Sequence, residues 1–249
     1  MQNPTLKRQL DNAYQSLNLE EYFSNSQIGL LHKLKSNSGS TISDIELGAM
    51  LLVMVAWGNN NEQIMNASNK MMSMCSWKPS EFIKLGDFYD LDDNMQIYKT
   101  LNGKQLKKVC HALRMLYGEY DSIHDLLQQN ADNMSFETMF MNLVTLFAPA
   151  SLGNPRNASS CKRINLLLRW MVRKDDVDFG LWQTHKIQPS NLYAVMGAET
   201  SRIAKKMGLI TFPAHTWQST LELTSIYRQW DQTDPLKYDL VFTSKFINQ

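Results

Sequence analysis

The sequence predicts an all-α fold, and three observations carry that expectation. Apolar residues recur at spacings of three and four along most of the 249-residue chain. Ser, Thr, Asn or Pro stands just ahead of many of those runs, where helix caps and first turns belong. No two neighbouring stretches alternate apolar and polar residues, so no strand pair is expected.

Leu6, Leu10, Ala13, Tyr14 and Leu17 open the chain with an amphipathic helix that ends before the Ser- and Asn-rich loop at 36–40. Ser43 caps the next helix, which is apolar nearly all round from Ile45 through Trp57, as a central core helix is. Gly58 stops it, and Asn59, Asn60 and Asn61 form a polar turn. A helix from Glu62 turns Ile64, Ala67, Met71 and Cys75 inward. Pro79 and Ser80 start a short helix, and the acidic segment 87–93 is a connecting loop. Leu106, Val109, Cys110, Leu113 and Leu116 then mark a buried face, with Lys107, Lys108 and Arg114 outside it. Helices over 122–129 and 135–147 follow, until Pro149, Gly153 and Pro155 break the pattern.

The stretch from Cys161 to Trp182 organises the rest. If it is helical, Cys161, Ile164, Leu167, Leu168, Met171 and Val172 fall on one side, while Lys162, Arg169 and Arg173 lie within roughly 40° of one another opposite. The expectation is one buried face and three outward cations. Beyond it, a short helix runs from Pro189 through Val195. The next places Ile203, Ala204 and Met207 inward and Arg202, Lys205 and Lys206 outward, with Gly208 as its C-terminal cap. Thr216 caps a helix carrying Trp217, Leu223 and Trp230, and Asp234 with Pro235 begins the last. The division expected is a central lobe over 40–174 and a second, discontinuous lobe of 1–39 with 175–249, one compact unit being the alternative.

Net charge is only +1, but it is unevenly spread: residues 1–150 carry 12 cations and 16 acids, and residues 151–249 carry 13 and 8. A local basic patch of this size suits a phosphate backbone. Cys75, Cys110 and Cys161 are too far apart for a zinc or iron–sulfur site and fit a reducing cytoplasm. The five His residues show no ligand spacing, so no metal and no cofactor is expected. The N-terminus lacks an apolar signal core and no apolar run is long enough for a bilayer, so a cytoplasmic protein without a membrane partner is expected.

Several strings together carry a resemblance: Ala56-Trp57-Gly58-Asn59 with Gln63-Ile64, KRINLLLRWMVRKDDVDFGLW, SRIAKKMGL, LELT and DPLKYDLVF. They resemble a bacterial family catalogued only as a conserved domain of unknown function. More distantly, the arrangement is similar to the helix-hairpin-helix DNA glycosylases. That resemblance implies two helical lobes, a Lys at the start of the hairpin's second helix, and an acid followed by an Arg on a later helix. It makes Lys162 a candidate nucleophile and Glu199 a candidate acid. Arg163, Arg169, Arg173, Arg202, Lys205 and Lys206 become DNA contacts, and Asn60 and Gln63 the tip that enters DNA beside an extruded base.

The chain departs from the glycosylase pattern twice. The Gly-rich hairpin is replaced by PRNASSCKR, with Pro155 and Ser159 where glycines would let amides approach a phosphate. Gly197 occupies the expected acidic position, and glycine cannot stabilise charge on a sugar. Glu199 stands two residues on, a shift that a helix turns by about 200°. The expected function is therefore DNA binding of glycosylase type, with base excision impaired or lost. The alternative is a non-enzymatic helical scaffold whose basic face meets an acidic protein partner. Among single residues, Asp175, Asp176 and Asp178 are expected to neutralise the end of the basic helix, Asp234 to cap a helix, Asp239 and Lys237 to pair at the surface, and Trp170 to be the base-stacking aromatic worth testing.

Overall fold

The computed structural model describes residues 4–242 and is predominantly helical. Helix α1 (Pro4–Gln15) buries Leu6, Leu10 and Ala13, one stripe at helical spacing. It is followed by two further helices, α2 (Leu19–Ser24) and α3 (Gln27–Ser36), rather than running on as one. Asn18 makes the break, its side chain accepting from Glu21 N at 3.1 Å to cap α2.

Helix α4 (Ile42–Met54) is the centre of the fold, buried at every position from Ser43 to Met54 and packed against α3, α5, α6 and α10. Its cap is Thr41, in a reciprocal capping box with Asp44. Ser43 is already inside the helix and donates instead to Asp121 O at 2.6 Å. The helix ends four residues before Gly58. Its one buried glutamate, Glu46, accepts from the Tyr117 hydroxyl, the amides of Ile123 and His124, and Trp182 Nε1, each at 2.8 Å.

Helices α5 (Asn61–Met74), α6 (Pro79–Leu85), α7 (Gly103–Glu119), α8 (Ile123–Gln129) and α9 (Phe136–Leu146) lie where the periodicity puts them. Asn60, Asn102, Ser122 and Ser135 cap α5, α7, α8 and α9 through their side-chain oxygens. One expectation fails here: β1 (Gln96–Tyr98) pairs antiparallel with β2 (Leu101–Asn102). The ladder is too short to show an alternating pattern, and it turns through Lys99 in a left-handed conformation, φ 48°.

The organising stretch is helical only over α10 (Lys162–Val172), and Arg173 is already extended at ψ 143°. From there to Met196 the chain is mostly irregular, including 189–195, where only a 3-10 turn at Pro189–Asn191 forms. Helix α11 (Ala198–Lys206) ends at Gly208, whose φ of 66° fits the left-handed cap. Helix α12 (Trp217–Trp230) is capped by Thr216, and the last element is a 3-10 turn, Pro235–Leu240, packed against α1 and α12. Buried apolar residues from Leu6 to Phe242 form one cluster. Among the described residues no helix is long and apolar enough to cross a membrane.

Candidate functional site

The link between α9 and α10 is a series of tight turns. Gly153 has φ 117°, and a Cβ there would lie 2.6 Å from Ser159 Oγ and 3.2 Å from Cys161 Cα, so only glycine fits. Two backbone hydrogen bonds fasten the link to the start of α12 and the loop before it, Trp217 N donating to Ala158 O and Ser160 N to His215 O, both 3.0 Å. This anchoring fixes the start of α10, which begins at Lys162.

Lys162 and Arg163 reach across to the C-terminal end of α4. Lys162 Nζ lies 3.4 Å from Ala56 O, and Arg163 donates to Met54 O at 3.1 Å and to Ser151 O. Cations suit the carbonyl-rich end of a helix. Burial, with Arg163 adding to it, lowers the Lys162 amine from the usual lysine range, and burial lowers Arg163 to about 10. Arg163 also stands over the Trp57 ring at 5.5 Å, with Lys99 at 4.6 Å.

A cleft of about 510 Å³ opens beside Lys162. Its walls are the tip after α4 (Gly58, Asn59, Asn61), the start of α10, the N-terminal turn of α11 with Glu199 and Arg202, and Asp239 from the last 3-10 turn. Gly197 sits directly opposite Lys162: a Cβ at 197 would be 3.4 Å from Lys162 Cε and 3.8 Å from Nζ, ordinary contact distances. Its backbone is extended, φ −90° and ψ 177°, so a side chain there is unstrained.

Of the residues singled out from the sequence, Lys162, Glu199 and Arg202 meet in this cleft. Arg163 lies behind Lys162, tied to backbone carbonyls. Lys205 and Lys206 are exposed on α11 outside the lining. The tip enters by neighbours of the residues expected: Asn60 is the cap of α5, accepting from Gln63 N at 3.0 Å, while Asn59 and Asn61 face the cleft.

The outward cationic face of α10 does not exist as expected. Arg169 lines the cleft floor but is only 4% exposed, with Nε 3.4 Å from Asp178 and Nη2 donating to the Tyr22 hydroxyl at 3.3 Å. Arg173 is fully buried elsewhere. Its guanidinium meets Asp234 at 2.8 Å, Asp175 at 2.6 Å, Asp178 at 2.9 Å and the Tyr14 hydroxyl at 2.7 Å. Helical periodicity identified a polar face; acids brought from up to 61 residues away make it an interior one. Asp175 and Asp178 neutralise the end of α10 as expected. Asp234 makes no side-chain cap bond and serves Arg173 instead. Trp170 is 2% exposed and belongs to the core.

Asp239 is the cleft residue that sequence reasoning misplaced. Lys237 pairs with Asp231 at 2.6 Å and Asp11 at 3.6 Å, leaving Asp239 to turn inward, where Oδ2 accepts from Val195 N at 2.8 Å. Burial pushes its carboxyl up to about 6, against the pull of Arg169. One signal was available: in Pro235–Leu240, Leu236 and Leu240 are apolar and Lys237 is the natural solvent side, so a second polar residue beside Leu240 required a reason.

Among the described residues no group of three His, Cys, Asp or Glu side chains could hold a metal ion. No curated protein and no solved structure matches the chain. Residues 32–247 match the family described as protein of unknown function (DUF2400), so the cleft, α4, α10, α11 and α12 all fall inside the matched region and the chain belongs to that family.

Proposed function

We propose that this chain binds DNA of damaged or unpaired character in the cleft beside Lys162, in the manner of a DNA glycosylase, with base excision impaired. The observation carrying the reading is the contact of Lys162 with position 197 across one concave surface. A lysine amine with a lowered pKa is what attack on a sugar C1′ needs: the nitrogen bonds to C1′ while the glycosidic pair leaves with the base. The partner for that step would be a carboxylate next to the amine, and position 197 offers none. Arg202, with Lys205 and Lys206 along the same helix, is placed to hold the flanking phosphates, and the Asn59–Asn61 tip to occupy the space of an extruded base. The division into a central lobe and a discontinuous second lobe belongs to the same reading, with the cleft between them. Neutralised Arg169 and Arg173 leave little broad basic face for an acidic protein partner.

Binding to a duplex containing a tetrahydrofuran abasic site, followed by fluorescence anisotropy at several salt concentrations, tests this. With about three phosphates neutralised, log Kd should rise with log salt at a slope of roughly 3, and Arg202→Ala should reduce that slope by about one. Absence of binding at low salt would dispose of the proposal. Borohydride trapping on a damaged duplex tests the chemistry: the wild type should trap weakly, Gly197→Asp more strongly, and Gly197→Asp with Lys162→Ala not at all. Trapping that survives removal of Lys162 takes away its assigned role.

A further inference from the structure

The β1–β2 hairpin, which no pattern in the sequence marks, closes onto the tip that walls the cleft. The Tyr98 hydroxyl donates to Trp57 O at 2.6 Å, and the two rings meet edge to face at 5.9 Å. Lys70 on α5 donates to Gln96 O at 3.0 Å, so the hairpin is held by α5 as well as by the tip. Gly58, at φ 119°, permits the close approach: a Cβ there would collide with Lys99 Nζ and lie 2.9 Å from the Tyr98 hydroxyl. The hairpin turn also carries an unfavoured residue. Lys99 has φ 48°, a left-handed conformation that Gly or Asn adopts at least cost. What the lysine gains is the position of its ammonium. Nζ lies 4.6 Å from the centre of the Trp57 ring and 5.1 Å from that of Tyr98. Lys99 is exposed and, among the described residues, pairs with no carboxylate, whereas Lys107 on α7 pairs with Asp93 at 2.9 Å. With Lys162 at Ala56 O and Arg163 over the Trp57 ring, it makes a group of three cations around residues 56–58.

We propose that Lys99 is a phosphate contact, carried by the hairpin to the outer side of the tip. The proposal rests on the DNA-binding reading and extends its surface beyond the cleft: the strand held by Arg202 on α11 continues past Asn59 to the hairpin. The Trp57 and Tyr98 rings hold the ammonium where it stands before a ligand arrives, which spares a flexible side chain the ordering that such a contact otherwise costs. Ring faces attract the cation, but its N–H donors still lack a charged acceptor, and a phosphate oxygen supplies one. A contact of this kind adds affinity without reading sequence.

The test titrates the full chain with the tetrahydrofuran duplex at several salt concentrations and plots log Kd against log salt. Lys99→Gly removes the ammonium and gives the turn the residue that suits it, so its melting temperature should stay within about 3 °C of wild type. Its slope should fall by about one, and the two lines should meet near 1 M salt, which makes the variant about tenfold weaker at 0.1 M. Lys99→Arg keeps a cation over the rings and should bind within about twofold of wild type with the slope unchanged. Lys84→Ala, which removes an exposed lysine of α6, should alter neither slope nor affinity. A wild-type slope in Lys99→Gly overturns the proposal and leaves DNA binding standing. A fall in slope that Lys84→Ala reproduces reports net charge alone and overturns it too, as does a Lys99→Arg protein that falls with Lys99→Gly. A Lys99→Gly protein that melts well below wild type and loses affinity without losing slope makes Lys99 structural, against the proposal. A wild type that does not bind the duplex at any salt concentration ends the DNA reading, and this one with it.

Discussion

Arg173→Met is expected to destabilise the protein by about 3–5 kcal/mol, the usual cost of removing one partner from a buried charge cluster. The side chain of Arg173 is 1% exposed and holds three carboxylates, Asp175 and Asp178 from the turn that follows it and Asp234 from the far end of the chain. Its Nη2 also donates to Tyr14, which in turn donates to Asp175 at 2.8 Å, so α1 is tied to the end of α10 through the same group. Methionine fills a similar volume, so the loss measured is that of the charge and its forked donors. Lysine should not rescue, since one ammonium cannot span three carboxylates. Urea unfolding at pH 7 measures the effect. Its pH dependence has a definite sign. Burial opposes ionisation of Asp175, but Arg173, with the Asp178 amide and the Tyr14 hydroxyl, outweighs it and holds the folded carboxyl below the usual carboxylate range. That contribution is present above about pH 4 and is lost as pH falls through the folded value. The acid limb of the wild-type stability curve should therefore be steeper than that of Arg173→Met.

Glu46→Gln is expected to cost about 3 kcal/mol, although it changes one atom of the side chain. All four partners of Glu46 are donors, and a carboxylate is an acceptor only. An amide would turn an NH₂ toward two of those donors, leaving buried groups unpaired at about 1–3 kcal/mol each. The four bonds join α4 to α7, to the N-terminal turn of α8 and to Trp182, so the variant should also loosen α8. Faster hydrogen exchange at Ile123 and His124 would show it. A variant as stable as the wild type would mean that these four contacts are not a unit.

Much of this architecture was legible in the chain. The stripes Leu6-Leu10-Ala13 and Leu106-Val109-Cys110-Leu113 are buried as the 3.6-residue period requires, and Ser122, Ser135, Thr216 and Gly208 cap the helices they precede or follow. Local chemistry suffices for such features because the interacting groups are a few residues apart. The cationic face of α10 was misread for the opposite reason. A stripe of Arg opposite a stripe of Leu looks the same whether water or distant carboxylates cover it, and the acids that decide the matter include Asp234. Glu46 was readable in principle, since the one acid beyond the first turn of a helix apolar all round must be buried and paired; its partners were not. The tip after α4 stands about 100 residues before Lys162 in the chain and Arg202 stands 40 after it, and their convergence is a property of the fold. No local pattern encodes it.

Hydrogen–deuterium exchange with and without the tetrahydrofuran duplex tests the central claim most directly, because it locates binding without assuming any residue's role. Slowed exchange is expected at 56–64, 160–163 and 196–203, three of the segments that wall the cleft, with α12 unchanged. Protection centred on α7, which carries Lys104, Lys107 and Lys108, with the cleft segments unaffected, would contradict it.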